Sequence, residues 1–95
     1  MIDCLDIGGS GIKGACARGV SDLLPLGRVG TPLDDLDAFV AAIEEVLARS
    51  PAGPDATVAI SIAGVVDPES GRIKVANIPC IDGLPLAAVL AGRLA

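Results

Sequence analysis

Over residues 1–31 the apolar positions never settle into a helical period. Ile2–Ile7 is a short apolar stretch broken only by Asp3 and Asp6 and closed by a glycine cluster, which predicts a buried strand. Residues 12–18 are small and semi-apolar. Gly19, Pro25, Gly27 and Gly30 follow too closely for a helix across Ala15–Thr31. Two further short strands are expected there, the second (LLPLGRVGTP) with a bulge or bend. From Asp35 to Arg49 the period changes: Leu36, Phe39, Val40, Ile43, Val46 and Leu47 recur at helical spacing. Asp34 is expected to cap this amphipathic helix with Asp37 at its third position, and the two prolines of SPAGPD end it.

The second half returns to strand patterning. In ATVAISIAGVVDP, Val58, Ile60 and Ile62 alternate with Ala59, Ser61 and Ala63, as in a central strand covered on both faces. Pro68-Glu69-Ser70-Gly71 predicts a turn, and Arg72–Val75 a short arm pairing back across it. ANIPCIDGLP reads as a loop. Pro85 suits the first position of a second helix, with Leu86, Val89, Leu90 and Leu94 on one face. The expected order is β-β-β-α-β, a hairpin, then α, in one α/β domain over residues 1–95.

Composition narrows the chemistry. The chain is 52% hydrophobic, yet Phe39 is its only aromatic residue. A chain of this length buries only about 60–65% of its unfolded surface, so a core this poor in aromatics suggests a piece whose packing partners lie elsewhere. A net charge of −5 with no basic stripe argues against nucleic acid. The longest apolar run, VAISIAGVV, is too short to span a bilayer, and MIDCLD lacks the positive start of a signal peptide, so a cytoplasmic protein is expected. Without histidine, the chain holds no Ser-His-Asp or Cys-His site and no His-ligated metal. Cys4, Cys16 and Cys80 have no C-x-x-C spacing and read as reduced, mostly buried thiols, Cys4 and Cys16 facing each other across a hairpin.

The stretch DIGGSGIKGA carries the remaining signal. Gly9, Gly11 and Gly14 form a G-x-G-x-x-G, but a dinucleotide site needs a helix after the glycines, and a strand is expected here. A Walker A loop fails as well, because Gly14 rather than Ser or Thr follows Lys13. What is left is a strand, a glycine turn and a strand, with Asp6 at the end of the first. Such a turn can gather backbone N–H groups around phosphate oxygens, and Asp6 beside it could hold a hydrated Mg²⁺. A plain glycine-rich hairpin, Asp6 bonding nearby amides, fits the same letters.

DIGGSGIKGA resembles the first phosphate motif of the sugar-kinase/actin-like ATPase superfamily, and is most similar to the D-[IV]-G-G-[TS] opening of the ROK family (repressors, open reading frames and kinases). The segment ISIAGVVDPESGRIKVANIPCIDGLPLAAVLAGRLA resembles that family's G-x-x-[DN]-P-x-x-G…N-[IL]-P…[DE]-G segment in register. The resemblance implies an actin-like (ribonuclease-H-like) fold, and a chain forming the N-terminal, incomplete part of an ATP-dependent kinase for a hexose or N-acetylhexosamine. It implies that Gly8, Gly9, Ser10 and Gly11 cradle the ATP phosphates and that Asp6 orients Mg²⁺ through water. Lys13 in the S-G-I-K order resembles polyphosphate-using glucokinases and would touch phosphate, or stand as a solvated strand lysine. Gly64 and Asn77 match sugar-pocket positions; Asn77 could equally stabilise the loop before Ile78-Pro79. Asp67 and Asp82 read as turn residues.

The family's Asn-Asp pair with the general-base Asp, its Glu and His sugar ligands and its structural zinc motif would fall beyond Ala95. The resemblance therefore implies that this chain has no catalytic base, does not turn over alone, and belongs to a homodimer when intact. Two other readings stay open: a segment of a ROK transcriptional regulator, and a non-catalytic sugar- or nucleotide-binding module.

Overall fold

The computed structural model describes residues 1–94 and shows an α/β arrangement in the expected element order. Strands β1 (Ile2–Ile7), β2 (Ile12–Gly19) and β3 (Asp22–Val29) form an antiparallel meander. Helix α1 (Leu36–Leu47) crosses over it and returns the chain to β4 (Thr57–Ile62), which pairs parallel to β1. The mixed four-stranded sheet has the order β3-β2-β1-β4. β5 (Val65–Val66) and β6 (Ile73–Lys74) make a separate two-stranded hairpin, and α2 (Leu86–Arg93) follows. No described helix is long and apolar enough to cross a membrane.

Alternation along the strands sorts the sheet into two unlike faces. Leu5, Ile7, Ile12, Cys16 and Leu26 point to one side, where Phe39, Val40, Ile43 and Val46 of α1 cover them. Ile73, Val75, Ile78, Ile81, Leu86 and Leu90 extend the same core, so both helices serve one face. Asp3 also points inward and is buried, but the Ser50 hydroxyl donates to its carboxylate (2.5 Å), which removes the penalty of an unpaired buried acid. The opposite face carries Cys4, Asp6, Lys13, Ala15, Ala59 and Ser61, half-buried or exposed, with no described element packed over it.

Several expectations change at this level. β4 is the outer strand of the described sheet, not a central one: Ala59, Ser61 and Ala63 are exposed, and Ile60 keeps 36% of its surface. An apolar groove of about 660 Å³ runs along that edge between α1 and α2, with Val58, Ile60, Leu90 and Leu94 in its walls. The α1 cap is Asp35 rather than Asp34; its carboxylate accepts from the N–H groups of Asp37 and Ala38. Pro85 stands at the N-cap of α2, one place before the first helical residue. Cys4 and Cys16 do not face each other, because Cys4 opposes Ala15 and Asp3 opposes Cys16, which sends the two thiols to opposite faces. All three cysteines are free, and burial pushes the Cys80 thiol up. The expected irregularity in β3 is a bulge: Gly14 opposes Gly27, Ala15 opposes Pro25, and Gly27 takes φ 87°.

Gly14 sets how closely α1 approaches the sheet. A Cβ there would lie 2.3 Å from Val46 Cγ1, inside the buried core, so helix and sheet meet at a distance only a glycine permits. Gly14→Ala is expected to destabilise the fold by about 1–3 kcal/mol through overpacking, read as a lower midpoint of denaturant unfolding.

Candidate functional site

β1 and β4 run parallel and end in register, Ile7 beside Ile62. The loops that follow them, residues 8–11 and 63–64, therefore leave the sheet at the same carboxyl edge, where ligands bind in open α/β sheets. The turn between β1 and β2 is closed by the Gly8 N–H donating to the Gly11 carbonyl (2.9 Å). The Gly8 carbonyl accepts instead from the Thr31 hydroxyl (2.6 Å), which ties the turn to the chain leaving β3. The N–H groups of Gly9, Ser10 and Gly11 donate to no group among the described residues.

What Gly9 and Gly11 supply is space for neighbouring side chains rather than a special backbone angle. None of Gly8, Gly9 and Gly11 has a positive φ. A Cβ on Gly9 would lie 2.5 Å from Asn77 Nδ2, and one on Gly11 would lie 2.1 Å from Arg28 Nε. Asn77, expected from sequence as a sugar-pocket residue, thus stands directly against the glycine turn, exposed and with its side-chain amide over Gly9. Gly64 is the third point of the cluster: a Cβ there would meet the Lys74 carbonyl at 2.7 Å and Val75 Cβ at 3.3 Å, two residues before Asn77.

Asp6 and Lys13 lie behind the turn on the open face. They oppose each other in register, and Ser61 opposes Asp6 from β4. Together with Cys4 and Ala15 they line a shallow hollow of about 340 Å³. Asp6 forms no ion pair among the described residues. The larger groove beside β4 contains none of the expected site residues.

Two residues at the turn escaped the sequence reading. Arg28 donates through Nη2 to the Ser10 carbonyl (3.0 Å) and hydroxyl (3.3 Å), and Thr31 holds Gly8. The only sequence clue was their position at the end of β3, and the bulge at Gly27 decides which residue lies opposite the turn. Asp82 and Asp67 are structural, as expected. The Asp82 carboxylate accepts from the Val75 N–H (3.0 Å) and so pins the loop carrying Asn77, while Asp67 closes the 67–71 turn. Cys80 fastens the same loop to residues 32–33 through its N–H, which donates to the Leu33 carbonyl (2.9 Å).

No family model matches the chain. Among curated proteins it is similar to the N-acetyl-D-glucosamine kinases of Shigella flexneri serotype 5b (strain 8401) and Escherichia coli (strain K12 / DH10B). Each is 41% identical over 69 residues, 70% of this chain and 23% of the relative. The chain spans about a quarter of the length of the curated relatives it matches. The similarity supports a relationship to sugar kinases.

Gly9 differs from Gly14 in what a methyl group would displace: an exposed side chain rather than the buried core. Asn77 is exposed and can swing away, so Gly9→Ala is expected to move its side-chain amide resonances while the melting temperature stays within about 2 °C. The Asp67 carboxyl is held below the ordinary aspartate value by the Glu69 N–H and the Ser70 hydroxyl. A lowered folded pKa means the turn bonds are intact at neutral pH and are lost only as pH falls through that lowered value. The Glu69 amide shift should titrate below the ordinary aspartate range; a midpoint at or above that range would contradict it.

Proposed function

We propose that this chain is the phosphate-binding N-terminal portion of an actin-like, ROK-type sugar kinase, which transfers the γ-phosphoryl of ATP to a hexose or N-acetylhexosamine. The observation that carries the reading is the convergence at one sheet edge of an open glycine turn and Asn77, in a chain similar to N-acetyl-D-glucosamine kinases. The free N–H groups of Gly9, Ser10 and Gly11 would bind phosphate oxygens, already positioned by Thr31. Asn77 offers both a donor and an acceptor to sugar hydroxyls beside those phosphates, which is the proximity an in-line transfer needs. Gly64, packed on the β6 backbone, lets the second loop come close enough to wall the sugar side.

Asp6 suits Mg²⁺ in one specific way. Among the described residues no group of three or more Cys, Asp or Glu could hold a metal alone. A single exposed carboxylate fits an ion whose other positions are filled by water and phosphate. Bound there, Mg²⁺ would supply charge neutralisation on the phosphate oxygens. Lys13, opposite Asp6, adds a positive charge on the same face. The base that takes the hydroxyl proton is, on this reading, contributed from outside the chain, and the relatives' name points to N-acetylglucosamine as the first acceptor to test.

Titration of the chain with MgATP should show binding, and Asp6→Ala should weaken it about tenfold, the scale of one lost charge-assisted contact. No sugar phosphate should form when the chain is incubated with MgATP and N-acetylglucosamine. Absence of MgATP binding, or turnover by the chain itself, would each count against the reading.

A further inference from the structure

Arg28 is the unexplained residue at the turn. The chain carries a net charge of −5, yet Lys13 and Arg28 are register partners on neighbouring strands, so two cations adjoin the glycine turn. Arg18, Arg49 and Arg93 each pair with a carboxylate. Arg28 forms no ion pair among the described residues; its Nε, Cζ and Nη2 occupy space beside Gly11 that any side chain at that position would fill. Both its hydrogen bonds to Ser10 use Nη2. A guanidinium has five N–H donors, and those on Nε and Nη1 bond to no group among the described residues. The charge is exposed, and holding it there without an acid would gain little for stability.

We propose that Arg28 is a second cationic ligand for the phosphoanhydride chain bound at the glycine turn, and that it positions Ser10 for the same contact. The inference rests on the reading of residues 8–11 as a phosphate site. It adds a charge-bearing residue that no glycine motif contains. The guanidinium fork matches phosphate oxygens in two-pronged geometry, and Gly11 is what allows the fork to reach them. The ligand chemistry is shared by a nucleoside triphosphate and by inorganic polyphosphate, so both are used as probes.

The test is isothermal titration of the 95-residue chain with inorganic tripolyphosphate and with ATP, each with Mg²⁺, for the wild type, Arg28→Ala, Arg28→Lys and Lys13→Ala. Arg28→Ala should weaken tripolyphosphate about tenfold and flatten the salt dependence of binding, because one screened charge contact is gone. Arg28→Lys keeps the charge but not the two-pronged fork, so it should recover only part of that loss, and melting temperatures should be unchanged in both. Equal losses for the two probes assign the contact to the phosphate chain itself; a loss confined to ATP would overturn that assignment. Unchanged affinity in Arg28→Ala with a loss in Lys13→Ala would remove Arg28 and leave the phosphate site standing. Equal weakening in Arg28→Ala and Arg28→Lys with lowered melting temperatures would make the residue structural and overturn the proposal. A wild-type chain that binds neither probe would take down both readings.

Discussion

β1 is hydrogen-bonded along its whole length on both sides, antiparallel to β2 and parallel to β4, and the rest of the molecule hangs on that double pairing. The parallel partner forces a crossover, which α1 provides, and so places a helix over one face of the sheet. Equal strand ends then put the turn after β1 and the loop after β4 at one edge. A one-residue slip in either ladder would send Asp6 into the core and Leu5 or Ile7 into water. With Leu5 and Ile7 almost fully buried, that slip is strongly disfavoured, and the position of Asp6 beside Lys13 and Ser61 follows from it.

The glycines of DIGGSGIKGA serve different neighbours. Gly9 leaves room for Asn77, Gly11 for Arg28 and Gly14 for Val46. One makes a contact between loops, one admits a cation, and one brings the helix close. Their G-x-G-x-x-G spacing describes no dinucleotide site, since an extended strand follows where a helix would have to start. The same economy holds the loop that carries Asn77. Asp82, Gly83 and Leu84 bond back to residues 73–75, and Cys80 bonds to Leu33, so an exposed segment without regular structure is fixed at several points.

Much of the architecture was legible from local chemistry. The α1 pattern, the glycine and proline punctuation before it, the turn at 68–71 and the element order each depend on residues near one another in sequence. The errors share a cause. β4 looked central because Ala59, Ser61 and Ala63 are small enough to be covered, but covering needs a partner, and local patterning cannot report whether one is there. Asp34 and Asp35 are equivalent as capping residues on paper; the first helical residue, Leu36, decides between them. Cys4 and Cys16 looked paired across a hairpin, but the ladder offsets them by one residue and so reverses their faces.

At the site the division is similar. The sequence by itself determined the glycine turn, the acid before it and the Asn of the later loop, because each is a residue type with a narrow set of uses at its position. That Gly9 touches Asn77, 68 positions further along the chain, was decided by the parallel pairing of β1 with β4 and by the hairpin that carries the chain back. That Arg28 and Thr31 reach the turn was decided by the bulge at Gly27, which shifts the β2–β3 register by one residue. Local propensity is written in neighbouring residues, whereas register is the outcome of burying one face of every strand at once, and only the folded chain resolves it.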